Sequence, residues 1–176
     1  MRKAVLIDRD GTIGPESNVI YPTQLHPFPN IAAAVRQLQG KGYLVIAVTN
    51  QSSISRGTAV GYDFMGEFRS YGLDDGFICP HDDADNCVCR KPKPGLILQA
   101  RDKYQLDLEH CYVVGDRWTD IAAGKACDCQ TILVLTGRGQ ETLEQELSVK
   151  PDHVAVDLFA AADWICALES ERSQWN

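Results

Sequence analysis

Six short apolar runs recur along the chain, separated by stretches whose apolar residues fall every three or four positions. Ala4-Val5-Leu6-Ile7 shows no polar alternation, as expected of a strand covered on both faces. Tyr43 to Val48, ending at Thr49, repeats the pattern, as do Phe77-Ile78, Tyr112-Val113-Val114, Thr131 to Leu135 and Val154-Ala155-Val156. Between them, Ile31, Val35 and Leu38 recur at helical spacing, and Gly40 and Gly42 mark the stop. Pro94 can open a helix that turns Leu96, Ile97 and Ala100 inward. Residues 119–126 read as helical, and Arg56 to Gly76 leaves room for one short helix. Asp157 can cap a final helix with Leu158, Ala161, Ile165 and Leu168 on one face, followed by a frayed tail over 170–176. Strand alternating with helix predicts an α/β fold: a Rossmann-like parallel sheet with helices on both faces. No repeat, low-complexity tract or linker interrupts it, so residues 1–176 are expected to form a single domain.

In such sheets ligands bind beyond the carboxyl ends of the strands. The polar residues that follow the apolar runs are therefore expected to converge: Asp8 and Asp10, then Thr49, Asn50 and Gln51, then Asp116.

Composition narrows the chemistry. With 44% hydrophobic and 23% charged residues the chain is an ordinary globular one. No apolar run approaches the roughly 20 residues needed to cross a bilayer. The apolar run at Ala4 to Ile7 stops at Asp8, too soon for a signal peptide, so a cytoplasmic protein without a membrane partner is expected. A net charge of −7 argues against a nucleic-acid footprint but leaves room for a small anion in a locally basic pocket. Seven cysteines, an odd and uneven set, fit a disulfide framework poorly. Cys79, Cys87 and Cys89 instead gather beside His81, a soft and borderline ligand set of the kind zinc prefers, in a loop spanning 79–89.

Four motifs carry chemistry. Asp8-Arg9-Asp10-Gly11-Thr12 sets two carboxylates at a strand end, suited to a hard Mg²⁺ and to phosphoryl transfer, one acid attacking and the other donating a proton. Thr49-Asn50-Gln51-Ser52 offers a hydroxyl and amides to a phosphoryl oxygen. Arg90-Lys91-Pro92-Lys93-Pro94-Gly95 places fixed cations before a helix start, and Gly115-Asp116-Arg117-Trp118-Thr119-Asp120 places acids at a strand end and one helical turn later. Singly, these segments also read as a turn, a helix cap, a surface basic patch and a first-turn acid.

In this order, the motifs resemble the haloacid-dehalogenase-like (HAD) phosphatases from about Lys3 to Gly137. The segments Thr49 to Gly57 and Cys79 to Gly95 resemble in particular the zinc-containing branch that holds heptose-bisphosphate and histidinol-phosphate phosphatases. The resemblance implies Asp8 as nucleophile, Asp10 as general acid and then base, and Mg²⁺ held by Asp8, the Asp10 carbonyl and Asp116. Thr49 and Lys91 would steady the phosphoryl group and Asp120 would support them. Asn50, Gln51, Ser52, Arg56, Arg90 and Arg117 would meet substrate, and Cys79, His81, Cys87 and Cys89 would hold a structural Zn²⁺. The chain departs from the branch at Gly14, where Asn is usual, and the short span from Arg56 to Gly76 leaves no cap domain. Specificity would then rest on residues 13–29, 52–60 and the zinc loop.

The implied substrate is a small phosphorylated metabolite, foremost heptose 1,7-bisphosphate losing its 7-phosphate, with histidinol phosphate as the alternative. A polynucleotide 3′-phosphatase would conflict with the charge of −7. A signalling receiver domain would place an adjacent acidic pair after the first strand and its phosphorylated Asp after a later one, and a zinc-finger module would leave the strand-end acids unexplained. The sequence leaves the oligomeric state open.

Overall fold

The computed structural model describes residues 1–15, 25–146 and 148–174. Six parallel strands form one sheet: β1 (Ala4–Ile7), β2 (Leu44–Asn50), β3 (Asp75–Cys79), β4 (Tyr112–Gly115), β5 (Gln130–Val134) and β6 (His153–Ala155). Their order is β3-β2-β1-β4-β5-β6, the doubly wound order in which the chain reverses direction across the sheet between β1 and β4. That is where a ligand crevice opens, and Asp8 and Asp116 follow those two strands.

Alternation along the strands feeds two cores. Val5 and Ile7 point, with Val45, Ala47 and Val114, toward helices α1 (Ile31–Gly40), α2 (Phe64–Ser70) and α6 (Leu158–Gln174). Ala4 and Leu6 point the other way, with Ile46, Val48 and Val113, toward α3 (Gly95–Tyr104) and α4 (Trp118–Lys125). All four β1 residues are fully buried, which explains why the sequence shows no polar alternation there. The register Ile7↔Ala47 and Ile7↔Val114 ends β1 and β4 within one residue of each other while β2 runs three residues further, and the Asp8 amide continues the ladder by donating to the Val114 carbonyl at 2.9 Å. Between β2 and β3 the chain makes a loop and the single short helix α2, with no cap domain.

Two elements differ from the pattern reading. Helix α6 runs on to Gln174 instead of fraying from residue 170. Lys3 pairs with Glu169, and the Ser170 hydroxyl donates to the Cys166 carbonyl while Lys41 donates to it, so the helix is tied to the body as far as Ser170. Helix α5 (Gly139–Glu144) has no apolar periodicity, and Leu143 in it is exposed. It is anchored by the buried Thr142, whose hydroxyl donates to the Asp116 carbonyl at 2.9 Å. Of the loop expected to meet substrate at 13–29, residues 16–24 lie outside the described residues. Gly14 is dictated by space: a Cβ there would lie 2.7 Å from the His26 carbonyl oxygen.

Leu6 is fully buried in the central strand, two residues before Asp8. Leu6→Ala is expected to cost about 2–5 kcal/mol of unfolding free energy, measured by urea denaturation, because the rigid sheet on either side cannot collapse into the gap.

Candidate active site

At the carboxyl end of the sheet two acids share one cation and a third stands beside them. Lys91 Nζ lies 2.8 Å from Asp8 Oδ1 and 2.6 Å from Asp120 Oδ1, and donates to the Val48 carbonyl at 2.8 Å. Burial alone would depress the lysine pKa, but the charges of Asp120 and Asp8 outweigh it and hold the ammonium above its ordinary value. Asp120 is spent inside the protein, since its other oxygen accepts the Arg117 amide at 3.0 Å. Asp116 is not. Its Oδ2 accepts the Arg138 amide at 2.8 Å, while its buried Oδ1 has no hydrogen-bond partner among the described residues. Gly11, at φ 86°, makes room for this carboxylate; a Cβ there would lie 2.1 Å from Asp116 Oδ2.

Oxygen atoms of Asp8, Asp116 and Asp120 lie within 4.8 Å of one another. Three negative charges against the one positive charge of Lys91 leave an excess of two, the charge of one divalent cation. Without it, burial and then repulsion from Asp8 and Asp120 push Asp116 above the ordinary carboxylate range, and burial, against the pull of Lys91, does the same to Asp120. Hard oxygen donors, an orphaned buried oxygen and a deficit of two charges together fit Mg²⁺.

Asp10 stands beside this cluster with both oxygens engaged. Arg9 Nη1 donates to Oδ1 at 2.6 Å, and the Gln51 amide donates to Oδ2 and also to Thr49 Oγ1 at 3.0 Å. Burial raises the Asp10 pKa, against the pull of Arg9, which favours a carboxyl able to carry a proton. Asn50 cross-links the end of β2 to Lys91, accepting its amide and donating to its carbonyl, both at 3.1 Å. The side chains of Asn50 and Gln51, expected to meet substrate, thus orient Lys91, Thr49 and Asp10.

Every residue expected to act in catalysis or to contact substrate lines one open cleft of about 700 Å³. Ser52 and Arg117 form part of its wall. At its rim Arg56 makes a two-bond pair with Asp82, at 2.6 and 2.8 Å, and holds that carboxyl down to about 2. Arg90 bonds Asp83 and the His81 carbonyl. Sequence reasoning missed these acidic partners, and missed Glu67, which receives both remaining arms of Arg9. The signals were present: Arg9 is a charge wedged between two site acids, and Glu67 adjoins Phe68 and lies one turn from Phe64, both buried.

Cys79, Cys87 and Cys89 bring their sulfurs within 3.3–3.5 Å of one another, and His81 Nδ1 lies 3.3 Å from Cys89 and 3.6 Å from Cys79. All three are free thiols. A tetrahedron with Zn–S bonds of about 2.3 Å has S···S edges of about 3.8 Å, so the four donors stand close to the corners zinc requires. Burial opposes ionisation at all three sulfurs and is outweighed only at Cys87, where the Cys89 thiol and the Arg90 amide donate. A cation resolves that conflict.

A family model described as HAD-hydrolase-like matches residues 88–161. D-glycero-beta-D-manno-heptose-1,7-bisphosphate 7-phosphatase from Pseudomonas aeruginosa is 37% identical over 157 residues, covering 83% of this chain and 88% of its own. The D-glycero-D-manno-heptose-1,7-bisphosphate 7-phosphatase of Thermosynechococcus vestitus is 33% identical, covering 94% and 96%. Among solved structures, the B. bronchiseptica D,D-heptose 1,7-bisphosphate phosphatase complexed with magnesium and phosphate superposes with a TM-score of 0.85 at 30% identity, over 96% of this chain and 99% of that one. With the doubly wound sheet and its strand-end acids, these matches place the chain in the HAD-like hydrolases, in the family of the D-glycero-D-manno-heptose-1,7-bisphosphate 7-phosphatases.

Proposed function

We propose that this protein is a Mg²⁺-dependent phosphomonoester hydrolase that removes the 7-phosphate of D-glycero-D-manno-heptose 1,7-bisphosphate through an aspartyl phosphate on Asp8. The observation that carries the reading is the cluster of Asp8, Asp116 and Asp120 around the buried Lys91, two charges short of neutrality. The relatives' shared activity supports the choice of sugar, and Arg56, Arg90 and Arg117 around the same cleft supply cations for a second phosphate.

Lys91 holds Asp8 Oδ1 and leaves Oδ2 to attack phosphorus. As the new O–P bond forms, the bond to the sugar oxygen breaks, and Asp10 passes its proton to that oxygen. Asp10, now a carboxylate, takes a proton from water, which attacks phosphorus and releases inorganic phosphate and the Asp8 carboxylate. Thr49 and Lys91 steady the charge on the transferring oxygens. Mg²⁺, held by Asp8, the Asp10 carbonyl and Asp116, supplies the positive charge that lets an anionic ester approach an anionic nucleophile. Cys79, His81, Cys87 and Cys89 hold a structural Zn²⁺, and since Cys89 precedes Arg90 and Lys91 directly, that metal anchors the backbone of both cations. All seven cysteines are free thiols, which supports a reducing, cytoplasmic setting. No helix among the described residues is long and apolar enough to cross a membrane.

Asp8→Asn is expected to fold normally and lose at least about a thousandfold in turnover with Mg²⁺ present, roughly 4 kcal/mol of barrier; near-normal turnover would refute the nucleophile. Heptose 1,7-bisphosphate is expected to exceed both its 7-monophosphate counterpart and histidinol phosphate in kcat/KM. Arg90→Ala should narrow the gap to the monophosphate about tenfold to a hundredfold, as for loss of a charged hydrogen bond. Equal efficiency on mono- and bisphosphate would count against the heptose reading. Mass spectrometry of the purified protein should find one Zn²⁺ per chain that survives removal of Mg²⁺. Cys89→Ser should lose that zinc and about a hundredfold in rate while keeping its circular dichroism, because Lys91 loses its anchor; full activity in a zinc-free protein would break the link.

A further inference from the structure

Among the described residues Arg9 is the largest fully buried side chain, and it lies between the two acids to which the chemistry is assigned. Its fork is fully directed. Nε and Nη2 each donate to one oxygen of Glu67 at 2.7 Å, and Nη1 donates to Asp10 Oδ1 at 2.6 Å. Glu67, on α2, is itself almost buried and accepts the Tyr62 hydroxyl. The rings of Tyr62 and Phe64 lie 5.9 and 5.4 Å from the guanidinium carbon. Burying such a pair is costly, and apolar residues of equal volume would fill the space at no loss of stability. Core packing therefore does not account for it.

We propose that Glu67, acting through Arg9, is a positioning residue for Asp10, so that helix α2 governs proton delivery to the leaving oxygen. The proposal rests on the assignment of Asp10 as proton donor. A guanidinium has donors only. Both oxygens of Asp10 accept, Oδ1 from the charged Arg9 and Oδ2 from the neutral Gln51 amide, and the cation on Oδ1 makes that oxygen the less basic, which favours the proton on Oδ2. Two donors on two oxygens fix both torsions of the aspartate. The bidentate grip of Glu67 fixes the plane of the guanidinium in turn, and weakening that grip loosens the carboxyl that Arg9 holds. Glu67 lines none of the cleft, so its effect passes entirely through Arg9.

The test reads leaving-group dependence in kcat/KM, which reports the step in which the sugar oxygen departs. A sugar alkoxide needs the proton; 4-nitrophenolate leaves without it. Glu67→Gln, in the full chain with Mg²⁺ and Zn²⁺, should lower kcat/KM for heptose bisphosphate about 10- to 100-fold and for 4-nitrophenyl phosphate less than about threefold. An equal fall on both substrates, or no fall on either, overturns the proposal. Should Glu67→Gln fail to fold, Tyr62→Phe removes only the outer hydroxyl, and it should give a smaller loss of the same selectivity; an unselective change or none overturns the proposal there too. Asp10→Asn is the control. A selective loss in Asp10→Asn without one in Glu67→Gln refutes the relay alone, whereas an unselective Asp10→Asn refutes the assignment of the acid beneath it.

Discussion

Lys91 Nζ is held by Asp8, Asp120 and the Val48 carbonyl, so one buried ammonium ties the end of β1 to the end of β2 and the first turn of α4. Removing the cation would leave two buried carboxylates without their counter-charge, and removing either acid would leave a nearly buried ammonium short of a partner. The lysine arrives there because Asn50 clasps its backbone from β2 on one side. On the other side, the thiol cluster fixes the preceding residues. A flexible, exposed lysine would be attracted to any anion; this one is already neutralised and aimed, which is what stabilising a fleeting charge distribution demands.

The sheet was legible because its central strands are covered on both faces and therefore read as unbroken apolar runs, and because Asp8 and Asp116 directly follow two of its strands. All six strands lie within one or two residues of the expected spans. What the sequence concealed falls into two kinds. Helix α5 has no apolar stripe because it is held by the Thr142 hydroxyl on the Asp116 carbonyl and not by burial of a face, and periodicity cannot register a single hydrogen bond. The partners of Arg9, Arg56 and Arg90 were hidden because ion pairs form across distances of 7 to 58 residues with no fixed spacing. Residue type identified the cations; only the fold could show which acids orient them. Asn50 and Gln51 illustrate the same limit, since a strand-end amide reads equally well as a substrate ligand or as an internal brace.

The absence of a cap between β2 and β3 shifts the burden of organisation onto short segments. In its place stands one helix whose acid reaches Arg9, and a thiol-rich loop whose acids reach Arg56 and Arg90. Neither segment has a core of its own: η-type turn residues Asp83–Asp85 bury nothing, and α2 buries only Phe64 and Phe68. Directional contacts, a cluster of three thiols and a histidine in one case and a bidentate ion pair in the other, substitute for apolar area in fixing them.

Charges in the cleft thus divide by depth, and the division matches what catalysis requires of each. At the rim, Asp82 and Asp83 accept from Arg56 and Arg90 in positions open to water, with Asp83 largely exposed. Such pairs are screened and exchange readily, so an incoming phosphate can replace a carboxylate as the partner without stranding a charge. Deeper, Asp8 and Asp120 around Lys91 are nearly or fully buried, and Arg9 behind Asp10 is fully buried, so their partners are set by the fold. Interactions that bind the ground state are therefore replaceable, and those that meet the transferring group are fixed in advance. Differential stabilisation of the transition state follows from that asymmetry, since a preorganised interior does not reorganise when charge moves.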